Sequence, residues 1–278
     1  MQRSHVIDVA APNLARMNNY LLGGKDHYPA DRRAGEQLLR IVPQARDVAQ
    51  AAHRFLLRAT SHLAREHRIR QFVVFGTGLP TQVGVHQIAQ SVSARCRVVY
   101  ADDDPLVLTH ARALWEQPRR TLVLHAGPAQ AAELLTGPAA GVLIDLALPV
   151  AVLFVSALQT VPGPAGPQRV LEQTAGVLAP GSLVAASQPV SEDPKVRQRT
   201  GGLLGEAAGG RWGQVRSRDE VAPFFRPLRP LAPGLVDVRR WRPGSDRTAG
   251  GGSRLWAEYG GVAMVQPGDV PEGAWLFS

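Results

Sequence analysis

Residues 71–80 read QFVVFGTGLP, and this stretch decides the fold class. Gln71 to Phe75 is an apolar run rich in β-branched and aromatic side chains, the pattern of a strand buried on both faces, and Gly76 stops it. Gly76 and Gly78 permit a tight turn and a close approach of backbone to a ligand. The helix predicted next, over Thr81–Val92, points its N-terminus at the same place. A second strand, RVVYA (Arg97–Ala101), ends in Asp102, Asp103 and Asp104. At that position an acidic side chain can accept both hydroxyls of a ribose. No third glycine completes Gly76–Thr81, which argues against a pyrophosphate-gripping dinucleotide site and for a nucleoside ligand. Taken alone, Gly-Thr-Gly reads equally well as a plain strand-to-helix turn.

Outward from this centre the alternation continues. Helix Pro105–Trp115 precedes strand Thr121–His125, helix Ala129–Leu135 precedes strand Val150–Ser156, and helix Gln168–Leu178 precedes strand Ser182–Ala186. Upstream, Ala45, Val48, Ala49, Ala52, Phe55, Leu56 and Leu63 recur at helical spacings. Five strands separated by helices predict a parallel sheet with right-handed crossovers and helices on both faces. A Gly-rich segment from Pro189 to Gly213 and a short helix at Ser217–Phe225 come next. Two strands near Leu235–Trp241 and Arg254–Val265, joined by RPGSDRTAGGGS, would add an antiparallel edge. The expected organisation is an N-terminal helical extension and lid over 1–65, then one doubly wound α/β domain over 66–278.

Composition narrows the function. The chain has 278 residues, and its single cysteine, Cys96, excludes both a disulfide framework and a thiolate-held zinc site. The longest apolar stretch, Pro149 to Leu158, is about half of a bilayer span. The start MQRSHVIDVAAPN lacks the apolar core of a signal peptide, so a soluble, cytoplasmic protein is expected. The net charge of +8 resembles a nucleic-acid signal, but its placement argues against one. Lys195–Arg254 holds 13 of the 31 basic residues and 5 of the 23 acidic ones, so the whole excess lies there. Nearly all of it is arginine rather than a mixed Lys/Arg cluster, which reads as a solvated face or, less simply, as a surface for an acidic partner.

The stretches ARMNNYLLGGKDHYPADRRAGEQLL, RQFVVFGTGLPT, RVVYADDDPLVLTHARAL, LPVAVLFVSALQTVP and LAPGSLVAAS, with RSRDEVAPFF and GLVDVRRWRP, carry a resemblance. From about Arg16 to Gly261 the chain resembles the actinobacterial S-adenosylmethionine-dependent methyltransferase family known as DUF574. YLLGGKD followed by GTGLP is the specific combination. The resemblance implies a class I methyltransferase (Rossmann-like) fold, a seven-stranded sheet in the order 3-2-1-4-5-7-6, and S-adenosylmethionine as cofactor. It implies that Gly76, Thr77 and Gly78 approach the methionine part, that Asp102 holds the ribose, and that Asp103 lies beside the adenine. Tyr20, Gly24, Lys25 and Asp26 would fold across the cofactor mouth, with Lys25 and Asp26 gripping its carboxylate and amine. Without the resemblance, that segment reads as a surface turn with a solvated ion pair.

The chain departs from the family's pattern at four points. Val74 stands where the first strand usually carries an aspartate, and Gly127 where an aspartate accepts the adenine amino group. Gln159 falls in a segment that usually contains histidine, and so does Gln188. All four lie at the carboxyl ends of strands. A charge-assisted contact is worth about 1.5–3 kcal/mol, so losing two would weaken cofactor binding roughly a hundredfold or more. Three functions follow. The first is methyl transfer to a small molecule, such as a secondary metabolite, with no metal and with His27 or His86 as candidate bases. The second is a repurposed enzyme running a cyclisation, elimination or rearrangement, with Tyr28, Gln159 and Gln188 in its pocket. The third is a non-catalytic partner protein.

Overall fold

In a computed structural model, which describes residues 8–80, 83–163, 166–210, 214–243 and 255–266, the apolar run becomes β1 (Gln71–Phe75), with every residue buried. Successive side chains alternate between two apolar layers. Val73 and Phe75 pack on one face with Val99, Val152 and Phe154, and Phe72 and Val74 on the other with Phe55, Leu63 and Leu153. β1 pairs in parallel with β2 (Arg97–Asp102) on one side and with β4 (Ala151–Val155) on the other. Strand order reverses there, so a crevice opens at the carboxyl end of β1.

Outside these strands lie β3 (Thr121–His125) beside β2, and β5 (Leu183–Val190) beside β4. β8 (Ala257–Met264) runs antiparallel to β5 over its full length, from Leu183 opposite Met264 to Val190 opposite Ala257. The sheet order is β3-β2-β1-β4-β5-β8-β6, with β7 also on β8. This is the expected 3-2-1-4-5-7-6 arrangement with its sixth strand broken into β6 (Arg229–Pro230) and β7 (Val236–Asp237). Pro230 and Pro233 have no N–H to give a ladder. The predicted strand Leu235–Trp241 stops early because the Asp237 side chain accepts the Arg239 N–H at 3.1 Å, turning the chain into a 3₁₀ segment at Val238–Arg240. The linker RPGSDRTAGGGS falls mostly outside the described residues.

Among the described residues, three helices precede the sheet: α1 (Leu14–Leu21), α2 (Pro29–Ile41) and α3 (Ala45–Arg65). The third lies on the sheet itself, contributing Phe55, Ala59 and Leu63 to the layer under Phe72 and Val74. α4 (Val85–Val92) starts four residues after the predicted Thr81, which is itself outside the described residues. α5 (Pro105–Trp115) has the predicted bounds. It is followed in chain order by α6 (Ala131–Thr136), α7 (Pro138–Gly141) and α8 (Gly166–Gly176).

The Gly-rich segment contains an unpredicted helix, α9 (Pro194–Ala207), before the short α10 (Arg218–Val221). Asp193 caps α9 by accepting the N–H groups of Lys195 and Val196, and Pro194 fills its first turn. Gly201, Gly202 and Gly205 face open space. Val196, Leu204 and Ala207 pack against Met17, Leu38 and Trp256. Packing of this face thus outweighs the weak propensity of the glycines. The arginines of 195–254 are not uniformly solvated either. Arg216 is buried, donating to Gly163 O at 3.0 Å, and Arg239 is bound at both ends of Asp237.

Candidate functional site

The two glycines that end β1 adopt left-handed backbone, φ +66° at Gly76 and +63° at Gly78. A Cβ on Gly76 would come within 2.8 Å of Ala157 Cβ, so no other residue fits there. The turn is clamped by Asp102. Its Oδ2 accepts the Gly78 N–H at 3.2 Å and the Thr77 hydroxyl at 3.3 Å, and its Oδ1 accepts the Asp104 N–H at 3.0 Å. Asp102 is 7% exposed, and burial pushes its carboxyl up to about 6 despite those donors. Its neighbours diverge in role. Asp104 caps α5 and accepts Asn13 Nδ2 at 2.6 Å, tying the N-terminal segment to the site. Asp103 is exposed beside Gly127.

Gly76, Gly78, Asn13 and the three aspartates line one side of a cavity of about 570 Å³, which Thr77 does not reach. The loop Gly127–Gln130, the β4 exit at Ser156–Pro162, and α1 with part of α9 close the others. Its roof is α1, where Met17, Asn18 and Leu21 face inward. α1 is latched by a buried ion pair, Arg16 Nε to Asp31 Oδ2 at 2.8 Å. Asp31 also accepts the N–H groups of Asn13 at 2.9 Å and Tyr28 at 2.7 Å.

At the far side stands Glu258, which sequence reasoning missed. It is 2% exposed on β8, and its Oε1 accepts hydroxyls from Ser156 and Ser187, each at 2.7 Å. Burial is the largest influence on its carboxyl, which rises to about 7. The available signal was a lone acid inside the apolar run WAEYGGVAM, where an unpaired charge would be costly on a buried strand. Among the described residues, four carboxylates (Asp102, Asp103, Asp104 and Glu258) line the cavity, and no lysine, arginine or histidine does.

The other predicted residues are distributed unevenly. Gln159 lines the cavity, donating to Ser156 O at 2.6 Å, with its Oε1 buried and without a partner among the described residues. Gln188 is buried on β5 opposite Tyr259, off the cavity, with neither end of its amide partnered among the described residues. Lys25 and Asp26 are exposed on the turn after α1 and do not line the cavity. Tyr20 packs edge-on to His27 with Arg46 over its ring, and Tyr28 opens α2 at the surface beneath Arg16. His27 lies beside Gly24 O, and His86 is buried with its Nδ1 2.9 Å from the Tyr100 hydroxyl. Neither histidine reaches the cavity. Val74 sits in the apolar layer with Tyr100 and Leu153, at the edge of a small pocket of about 100 Å³ shared with Asn18, His53 and Thr77.

A family model described as S-adenosyl methyltransferase matches residues 1–266. Two solved structures share the fold across nearly the whole chain. A DUF574 family protein from Streptomyces avermitilis is 35% identical, with a TM-score of 0.83 over 94% of this chain and 100% of that one. A candidate methyltransferase from Thermobifida fusca is 31% identical, with a TM-score of 0.84 over 94% and 97%. No curated protein matches. No described helix is long and apolar enough to cross a membrane.

Proposed function

We propose, from the premise that the chain belongs to the S-adenosyl methyltransferase family, that it methylates a small molecule held in the cavity under α1. The observation that carries this reading is the placement of the left-handed glycine turn and the buried Asp102 carboxyl on one wall of a cavity of about 570 Å³. That volume lies within the range of about 300–1,000 Å³ usual for ligand sites.

The residues present fit S-adenosylmethionine. A Cβ on Gly78 would meet nothing closer than Asn18 Nδ2 at 3.9 Å, so the backbone there is open to a ligand. The cluster of Asp102, Asp103 and Asp104 on this wall, with no cation among the described lining residues, suits a ligand that carries positive charge. When bound, the cofactor supplies a methyl group on a sulfonium sulfur, and its transfer is an in-line displacement that depends mainly on alignment.

In this reading Gly76, Thr77 and Gly78 hold the methionine part and Asp102 the ribose. Asp103, with the loop at Gly127, borders the adenine. Asn13, Met17 and Asn18 on the α1 segment serve as the cover, rather than Lys25 and Asp26. α1 excludes water and fixes the acceptor against the glycine turn. Methyl transfer is preferred to a repurposed reaction because the glycine turn and Asp102 are intact where the family places its cofactor. Of the two lost acids, Gly127 lies on the cavity wall, whereas an acid at Val74 would be buried in hydrocarbon.

Calorimetry with S-adenosylmethionine and S-adenosylhomocysteine is expected to give micromolar dissociation constants. Absence of binding at millimolar ligand overturns the reading. Asp102→Asn replaces an acceptor of two N–H groups and a hydroxyl by an amide that must present a donor to one of them. It is expected to weaken S-adenosylhomocysteine binding at least roughly tenfold, the cost of one lost charge-assisted contact. An unchanged affinity in the same titration would place the nucleoside elsewhere.

A further inference from the structure

Glu258 stands apart from the glycine turn and Asp102 in sequence and strand, on β8, and is a buried carboxylate on the cavity wall. Its hydrogen-bond donors among the described residues are all neutral: the hydroxyls of Ser156 and Ser187, both on Oε1, and the Ser156 backbone. Asp237, the charged group that bears on it, has the same sign and repels it. A carboxylate taken out of water without a cation is incompletely compensated, and a ligand that brings a positive charge completes it. The wall beside Glu258 is hydrocarbon: Met17, Leu38, Val48, Leu204 and Trp256 form one apolar cluster, and all of them line the cavity. Trp256 adds an aromatic surface of the kind that attracts ammonium groups. The chain carries 31 basic residues, and none of the described ones lines this cavity, so an anionic acceptor finds no counter-charge among them.

Resting on the methyl-transfer reading, we propose that the acceptor is an apolar primary amine, bound as its ammonium with Glu258 as counter-ion and proton acceptor. The proton leaving nitrogen goes to the Glu258 carboxylate. The freed lone pair takes the methyl as the S–C bonding pair stays with sulfur, and the product is a secondary ammonium. Glu258 then returns its proton to water. A neutral hydroxyl would make one hydrogen bond here and leave the carboxylate without a counter-charge, so the amine is favoured.

The test is calorimetry on the full chain, both free and saturated with S-adenosylhomocysteine, using three matched probes: 2-phenylethylamine, 2-phenylethanol and phenylacetate. The amine is expected to bind at least tenfold more tightly than the alcohol, with no binding of phenylacetate. Glu258→Gln is expected to abolish the preference for the amine while still binding S-adenosylhomocysteine, which shows that it folds. Glu258→Asp, which keeps the charge, should retain part of the preference. Equal affinity for amine and alcohol, binding of phenylacetate, or an unchanged preference in Glu258→Gln overturns the proposal. Failure of the methyl-transfer reading appears separately, as absence of S-adenosylhomocysteine binding, and the probe titrations on the free chain still decide the amine question.

Discussion

Arg16→Met is expected to destabilise the N-terminal helices by about 3–5 kcal/mol, the usual cost of removing one member of a buried ion pair. Asp31 is 0% exposed and Arg16 4%. Without the guanidinium, the Asp31 carboxylate keeps the N–H groups of Asn13 and Tyr28 but loses the cation paired with it. The same guanidinium donates to Ala11 O at 2.6 Å and Asp8 O at 3.0 Å, so the segment leading into α1 is released as well. Hydrogen exchange should show loss of protection in α1 while β1 and β4 stay protected. Binding of S-adenosylhomocysteine should weaken too, because Met17 and Asn18 no longer cover the cavity. Pairing the change with Asp31→Asn removes the orphaned charge and should recover much of the stability. A loss under about 1 kcal/mol for the single variant would mean that α1 is held by its apolar face alone.

Glu258→Gln is expected to be more stable than the wild type at pH 8 by about 3 kcal/mol, and nearly equal to it at pH 4.5. In the folded chain burial raises the Glu258 carboxyl from 4.5 to about 7. The folded state therefore keeps a proton that the unfolded state gives up as pH rises from about 4.5. Stability falls through that window, and the full penalty is present above about 7. A shift of that size corresponds to about 3 kcal/mol. Asp102, raised from 3.8 to about 6, acts in the same direction at slightly lower pH and is common to both proteins. The substituted amide does not titrate and still accepts the serine hydroxyls, so the advantage of the variant should open between about pH 4.5 and 8. Thermal melts would show a gap of roughly 5–10 °C at the alkaline end for a chain of this size. Parallel melting curves across that range would mean that Glu258 is not buried as a carboxylate.

The readable part of this molecule is its repeating part. β1 and β3 begin and end where the apolar runs do, and α5 starts at its Asp104-Pro105 boundary, because a buried strand and a capped helix are written within a few residues. Asp102 was legible for the same reason: the end of a strand is a local event. α9 was obscured because glycine lowers helix propensity, and only the packing of Val196, Leu204 and Ala207 against α2 and Trp256 restores it. The Lys25–Asp26 turn carries the most recognisable motif of the N-terminal region, yet the chain presents that turn to solvent and covers the cavity with α1.

Local sequence thus determined the alternation of strands and helices from β1 to β5, the glycine turn and its acidic partner, since hydrophobic period and turn chemistry act between near neighbours. Tertiary structure decided what surrounds Glu258. Ser156 and Ser187 reach Glu258 across 102 and 71 residues of chain, and they meet only because β8 folds back antiparallel on β5. Burial of a charge and the groups that compensate it belong to that long-range pairing, and no stretch of sequence near Glu258 contains them.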